Sequence, residues 1–213
     1  MIRAVVFDVG ETLIDETRHW GEWADWLGVP RLTFFAVLGA VVERGEHHRA
    51  IFEHFRPGFD LAAETRRRQA TGWVYRFEPG DFYPDALPCL RGLRTAGYRI
   101  GVAGNQPAEA EAALQAAGVP ADFIASSARW GVEKPSPAFF ARIAEAAGVP
   151  ASQIAYVGDR LDNDIAPALD AGMAAVFIRR GPWGHIRAAS EVKGASAIIE
   201  SLDDLPRALA GIV

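Results

Sequence analysis

The chain has 213 residues, half of them apolar and 23% charged, which makes a globular protein able to bury one sizeable core and a smaller second lobe. Its 27 acidic and 22 basic residues give a net charge of −5, and with no basic run longer than Arg66-Arg67-Arg68 a nucleic-acid partner is not expected. A single cysteine, Cys89, excludes an internal disulfide and points to a reducing compartment, the cytoplasm. There is no leader pattern at the N-terminus, and the longest apolar run, Leu32 to Val42, is far short of the roughly 20 residues that span a bilayer.

In chain order, the first predicted strand is the apolar run "RAVVFDV", which delivers Asp8 and runs into "FDVGETL". Residues 16–80 then break the strand pattern. They are rich in Trp, Phe, His and Arg and read as helices, with Trp20, Trp23 and Trp26 spaced every three residues to build that segment's own core. Its histidines, His47, His48 and His54, read as surface residues. Cys89 follows Pro88 in an apolar helical stretch and reads as a buried thiol.

From there strands and helices alternate. "GYRIGVAG" is a strand ending at Gly104-Asn105, and "PAEAEAALQAAGVP" is a helix with a glycine stop. "DFIASS" is a strand, and "SPAFFARIAEAAGVP" a helix opened by Ser136-Pro137 and closed by the same "AAGVP". "QIAYVGD" and "AAVFIRR" are the last two strand runs. The "IRRGPWGH" that follows places Arg179, Arg180, Trp183 and His185 near the carboxyl edge of the sheet that these strands form; it reads as an ordinary loop built on a glycine-proline turn, with the fixing of an anionic substrate as the lesser alternative.

This alternation predicts an α/β fold with a Rossmann-like parallel sheet and helices on both faces, formed by residues 1–15 and 81–213. Residues 16–80 are a small all-helical domain inserted after the first strand, placed above the carboxyl edge as a lid. Ligands of such sheets gather at the carboxyl ends of the strands, which collects Asp8, Gly104-Asn105, Ser126-Ser127 and Gly158-Asp159 on one edge.

Asp8 alone reads first as a structural cap. "VGDRLDNDIAPALDAGM" changes the balance by adding Asp159, Asp162 and Asp164 at another strand end. Clustered carboxylates repel unless a cation or proton lies between them, and hard oxygen ligands at this density suit Mg²⁺. Lys134, in the loop before the helix at Ser136, would neutralise a phosphoryl group in transfer. Together these residues describe phosphoryl chemistry with a carboxylate nucleophile.

"FDVGETL", "AGNQ", "EKPSPAFF" and "VGDRLDNDIAPALDAGM" resemble, in order, the four motifs of the haloacid dehalogenase (HAD) superfamily, and residues 16–80 are similar in placement to its helical first cap class. The resemblance implies a Mg²⁺-dependent cytoplasmic hydrolase, a monomer or homodimer, acting on a small phosphorylated molecule through an aspartyl intermediate. It makes Asp8 the nucleophile and a metal ligand. The Gly10 carbonyl, Asp159 and Asp164 become further ligands, and Lys134 the balancing cation. Asp162 has no fixed role.

Two positions depart from that pattern. Gly10 stands where the family's phosphatases usually carry an aspartate that protonates the leaving alcohol, a contribution of order 10²–10⁴ in rate. Gly104 stands where a Ser or Thr would hold the phosphoryl group, leaving the N–H groups of Gly104 and Asn105, or the Asn105 amide, for that contact. Three readings follow. The first is a phosphatase for good leaving groups, or one with a substitute acid such as Glu11 or Asp15. The second is a dehalogenase-type enzyme, which needs no such acid but leaves the aspartates without a purpose. The third is a weakly active or non-catalytic protein that binds metal and phosphate.

Overall fold

The computed structural model describes residues 1–186 and 194–212. The chain divides into two compact units, residues 1–15 with 77–213, and residues 16–76. The second boundary falls at 76/77 rather than after residue 80 because Phe77 packs against the core of the first unit.

In the first unit, β1 (Ala4–Phe7), β2 (Arg99–Gly104), β3 (Phe123–Ser126), β4 (Ile154–Gly158) and β5 (Ala174–Ile178) pair in parallel with β6 (Ala197–Ile199). The sheet order is β3-β2-β1-β4-β5-β6. β6 escaped the sequence reading because three residues at a sheet edge carry too little periodicity to register.

The strands read as near-continuous apolar runs because both faces are covered. Alternate residues supply two separate cores. Val5, Phe7, Val102 and Val157 point to one side, where Leu90 and Leu93 of the helix Ala86–Thr95 and Leu205 and Leu209 of the helix Leu205–Ala210 cover them. Val6, Ala103, Tyr156 and Phe177 point to the other, against Phe139, Phe140 and Ile143 of the helix Pro137–Ala147. Burying each such Leu or Phe is worth about 1.5–3 kcal/mol.

The helix Pro137–Ala147 shows how local signals place chemistry. The Ser136 hydroxyl accepts from the Ala138 N–H, Pro137 takes the first position, and Gly148 ends the helix at φ 64°. Its start is thereby fixed three residues after Lys134. β1 lies between β2 and β4, where the strand order reverses. In sheets of this kind the crevice at that reversal is where ligands bind.

The second unit holds four helices, Thr17–Leu27, Arg31–Glu43, Ala50–Phe55 and Leu61–Ala70. Trp20 and Trp23 are buried. Trp23 meets Phe52 edge-on at 5.1 Å, Phe52 stacks on Phe59 at 4.6 Å, and Arg68 lies over both Trp23 and Trp73. Trp26 is half-buried and donates from Nε1 to Glu64 at 2.8 Å. Among the described residues no single helix is long and apolar enough to cross a membrane.

Candidate active site

Asp8 follows β1 directly, its N–H bonded to the Val157 carbonyl of β4 at 2.9 Å. The chain then winds into a tight turn in which the N–H groups of Leu13 and Ile14 both reach the Val9 carbonyl, and Glu11 donates to the Ile14 carbonyl. Asp159 follows β4. Residues Leu161–Ile165 form a single wide turn of π-helix, a geometry often found at functional sites. This extra width, with the Ile165 N–H bonded to the Arg160 carbonyl at 3.1 Å, buries Asp164 completely.

Lys134 ties these segments together. Its Nζ lies 2.8 Å from Asp8 Oδ1 and 2.6 Å from Asp164 Oδ1, over the ring of Tyr156 at 5.6 Å. Asp164 Oδ2 accepts from the Arg160 N–H at 3.0 Å, and the Tyr156 hydroxyl donates to the Ala103 carbonyl at 2.9 Å. Two glycines permit the approach of the carboxylates. A Cβ at Gly104 would strike Asp8 Oδ1, and one at Gly158 would strike the Asp164 carboxylate.

Two buried carboxylates, Asp8 and Asp164, therefore share one ammonium, with a third, Asp159, beside them. Burial disfavours the charge on Lys134, but Asp164 and Asp8 overcome it and hold the lysine well above its ordinary pKa. Burial pushes Asp164 up to about 6 against the pull of Lys134, with Asp8 adding to the rise. Burial, Asp164 and Asp8 together push Asp159 well above its ordinary value. Ligand atoms of Asp8, Asp159 and Asp164 lie within 4.8 Å of one another, and the buried Asp159 Oδ2 has no hydrogen-bond partner. An orphaned anionic oxygen among hard ligands fits a divalent cation, which would relieve both the repulsion and the missing bond. Asp162 is not part of this group, since its side chain is 72% exposed and pairs with Arg160 at 2.8 Å.

Residues 2–172 match the haloacid dehalogenase-like hydrolase family. The chain belongs to that family. It is 30% identical, over 233 aligned positions covering 100% of this chain and 97% of the other, to the glyceraldehyde 3-phosphate phosphatase of Methanopyrus kandleri. Among solved structures it is similar to the HAD phosphatase from Thermococcus onnurineus, with a TM-score of 0.64 at 24% identity and full coverage of both chains. It is also similar to the 2-haloacid dehalogenase from Pseudomonas syringae pv. Tomato, with a TM-score of 0.60 at 25% identity and 99% of each chain covered.

In this HAD-like hydrolase the two departing motifs have local structural reasons. Gly104 leaves room for the Asp8 carboxylate, so its replacement of a hydroxyl residue goes with the position Asp8 adopts here. Gly10 bridges to Ile14 inside the turn. Glu11 is the one non-glycine residue with positive φ, 51°, among the described residues. It is held there by the Tyr83 hydroxyl, which donates to Glu11 Oε2 at 2.6 Å, while Gly181 leaves space for its carboxyl group. Burial and the Glu11 charge keep the Tyr83 phenol well above its ordinary pKa.

The Asn105 amide is engaged at both ends by Lys134, donating from Nδ2 to the Lys134 carbonyl at 2.9 Å and accepting at Oδ1 from the Lys134 N–H at 2.8 Å. Arg180 is also occupied within the protein. It donates to the Thr12 carbonyl at 3.0 Å, pairs with Asp85 and stacks on Tyr83, so it braces the turn after Asp8. Arg180 thus places its charge inside the protein rather than on an anionic substrate, and the segment after it is a helix, Gly181–Ile186, not an ordinary loop. Tyr83 and Tyr156 were not legible as site residues. Tyr156 looks like one more member of an apolar strand, and the partner of Tyr83 lies 72 residues away.

Proposed function

We propose that this HAD-like hydrolase is a Mg²⁺-dependent phosphatase of a small phosphorylated metabolite, working through an aspartyl-phosphate intermediate. The observation that carries the reading is Lys134 Nζ set between Asp8 and Asp164 beside the unpartnered oxygen of Asp159. The name of the M. kandleri relative, at 30% identity, supports a phosphate ester of triose size as the substrate.

Asp8, the Gly10 carbonyl, Asp159 and Asp164 would hold the cation. When bound, Mg²⁺ supplies a Lewis acid that polarises phosphoryl oxygens and offsets the carboxylate charge. Lys134, anchoring Asp8 Oδ1, leaves the second oxygen of that carboxylate to attack phosphorus and balances charge on the phosphoryl group as it transfers. The bond between phosphorus and the ester oxygen breaks, with its electron pair remaining on the leaving oxygen. Water then attacks the aspartyl phosphate, and the bond between phosphorus and the Asp8 oxygen breaks to return Asp8 and inorganic phosphate.

Glu11 is the candidate substitute acid in this scheme, although its Oε2 accepts from the Tyr83 hydroxyl and so faces away from the place a carboxyl group at Gly10 would take. If its proton does not reach the leaving group, good leaving groups turn over faster than alkyl ones. The helical unit, residues 16–76, acts as the substrate-selecting cap, in keeping with its insertion directly after the first strand and turn. The enzyme works in the cytoplasm as a monomer or homodimer.

The test is phosphate release, with and without Mg²⁺, from a panel of p-nitrophenyl phosphate, acetyl phosphate and triose and hexose phosphates, beside Asp8→Asn. The expected result is release that requires both Mg²⁺ and Asp8, with a rate advantage for aryl and acyl phosphates that widens in Glu11→Gln. No release from any ester while Mg²⁺ still binds would replace the enzyme reading with the metal- and phosphate-binding one.

A further inference from the structure

Lys134 lies between the helices Ser127–Trp130 and Pro137–Ala147, in a stretch without regular secondary structure. Nevertheless its Nζ makes two short contacts, at 2.8 and 2.6 Å, with carboxylates from the end of β1 and from the π-helical turn after β4. A lysine side chain is a flexible four-carbon stem, so its ammonium is placed only as well as its backbone is placed. Both the N–H and the carbonyl of Lys134 are bonded to the side chain of Asn105, directly after β2.

The two bonds between Asn105 and Lys134 have a specific form. Two residues that face each other in a hydrogen-bonded antiparallel pair exchange N–H···O bonds in both directions. The Asn105 amide does the same with the main chain of Lys134, donating to its carbonyl and accepting from its N–H. A carboxamide carries a donor and an acceptor in one plane, whereas aspartate offers only acceptors and serine a single hydroxyl. The residues are 29 positions apart, so the side chain ties the lysine loop to the sheet.

We infer that Asn105 is a positioning residue that acts through Lys134, and that its side chain is not the phosphoryl ligand its place in the second motif suggests. The inference rests on the hydrolase reading above, and extends it by separating what Asn105 does through its side chain from what its backbone N–H can offer a phosphoryl oxygen.

A double-mutant cycle on Asn105 and Lys134 tests it. Asn105→Ala should lower kcat/KM for p-nitrophenyl phosphate by about 10²-fold, the cost of misplacing a reacting group by about 1 Å. In a Lys134→Ala background the same change should cost less than about threefold, because there is no ammonium left to misplace. Asn105→Asp keeps the acceptor for the Lys134 N–H and should fall between wild type and Asn105→Ala, which provides a milder variant if the alanine does not fold. A cost that persists undiminished without the lysine side chain would overturn the inference and make the Asn105 amide a phosphoryl ligand.

A second measurement reads placement without turnover. The buried, doubly paired Lys134 ammonium should give a slowly exchanging ¹⁵Nζ resonance in phosphate-free protein, assigned by its loss in Lys134→Ala. Asn105→Ala or Asn105→Asp should broaden or abolish it, and an unchanged resonance in both would overturn the positioning role. Wild-type protein that releases no phosphate would instead count against the hydrolase reading, with the resonance still deciding the role of Asn105.

Discussion

Asp8, Lys134, Asp159 and Asp164 act as one charge system, and its pH response follows from the direction of the shifts. An unfolded aspartate has a pKa near 3.8, whereas Asp164 in the folded protein is raised to about 6. Between those values the folded state binds the extra proton, so stability from this residue falls as pH rises from about 4 to about 6 and then levels off. A cation favours the ionised form and removes that loss. Thermal melts at pH 5 and pH 7 should therefore show a larger Mg²⁺-induced rise in Tm at the higher pH, and Asp164→Asn should abolish the difference. At Gly104 the expectation runs against motif logic. Restoring the family's hydroxyl with Gly104→Ser puts a Cβ against Asp8 Oδ1, so phosphate release should drop at least about tenfold, since a displaced nucleophile costs more than a regained hydrogen bond supplies. Asp8 and Asp159 were legible in the sequence because a charge that ends an apolar strand run stands out, and Lys134 and Asp164 because they fall in the stretches "EKPSPAFF" and "VGDRLDNDIAPALDAGM". The use of the Asn105 amide was not, because an amide at that place reads equally well toward a ligand or toward the backbone.

Among elements, the junction of β4 with the π-helical turn Leu161–Ile165 carries the most chemistry per residue. The sequence places a strand and a cluster of acids there, but an extra residue in one helical turn has no signature in hydrophobic spacing. That residue sets the depth of Asp164, and Gly158 makes the space for its carboxylate. Gly158→Ala should therefore fold, because its backbone conformation suits any residue, yet displace Asp164. The expected outcome is a variant whose Tm no longer responds to Mg²⁺ and whose phosphate release falls to background. The helix Pro137–Ala147 is the opposite case. Ser136, Pro137 and Gly148 announce both of its ends in the sequence, and the structure keeps both. Local signals succeed there because capping is a contact between near neighbours in the chain.

At the scale of the molecule, the α/β unit has its two cores on either side of the sheet, while the helical unit packs its own aromatic cluster. Phe52, stacked on Phe59 and edge-on to Trp23, is central to that cluster. Phe52→Ala should destabilise the helical unit by about 3–5 kcal/mol, read as a lower midpoint in a fluorescence melt, since Trp20, Trp23, Trp26 and Trp73 report from that unit. The parallel α/β class, the helical segment after the first strand and the identity of the charged residues are all readable along the chain. Each of these is written in periodicity, composition or a charge that breaks an apolar run. The tertiary structure alone decided that Asp162 stays in solvent while Asp164 is buried, that Glu11 turns toward Tyr83, and that Asn105 braces Lys134. Those outcomes depend on the strand order that brings β1, β2 and β4 side by side and on contacts between residues 29 to 168 positions apart. Spacing along a chain carries no record of such distances.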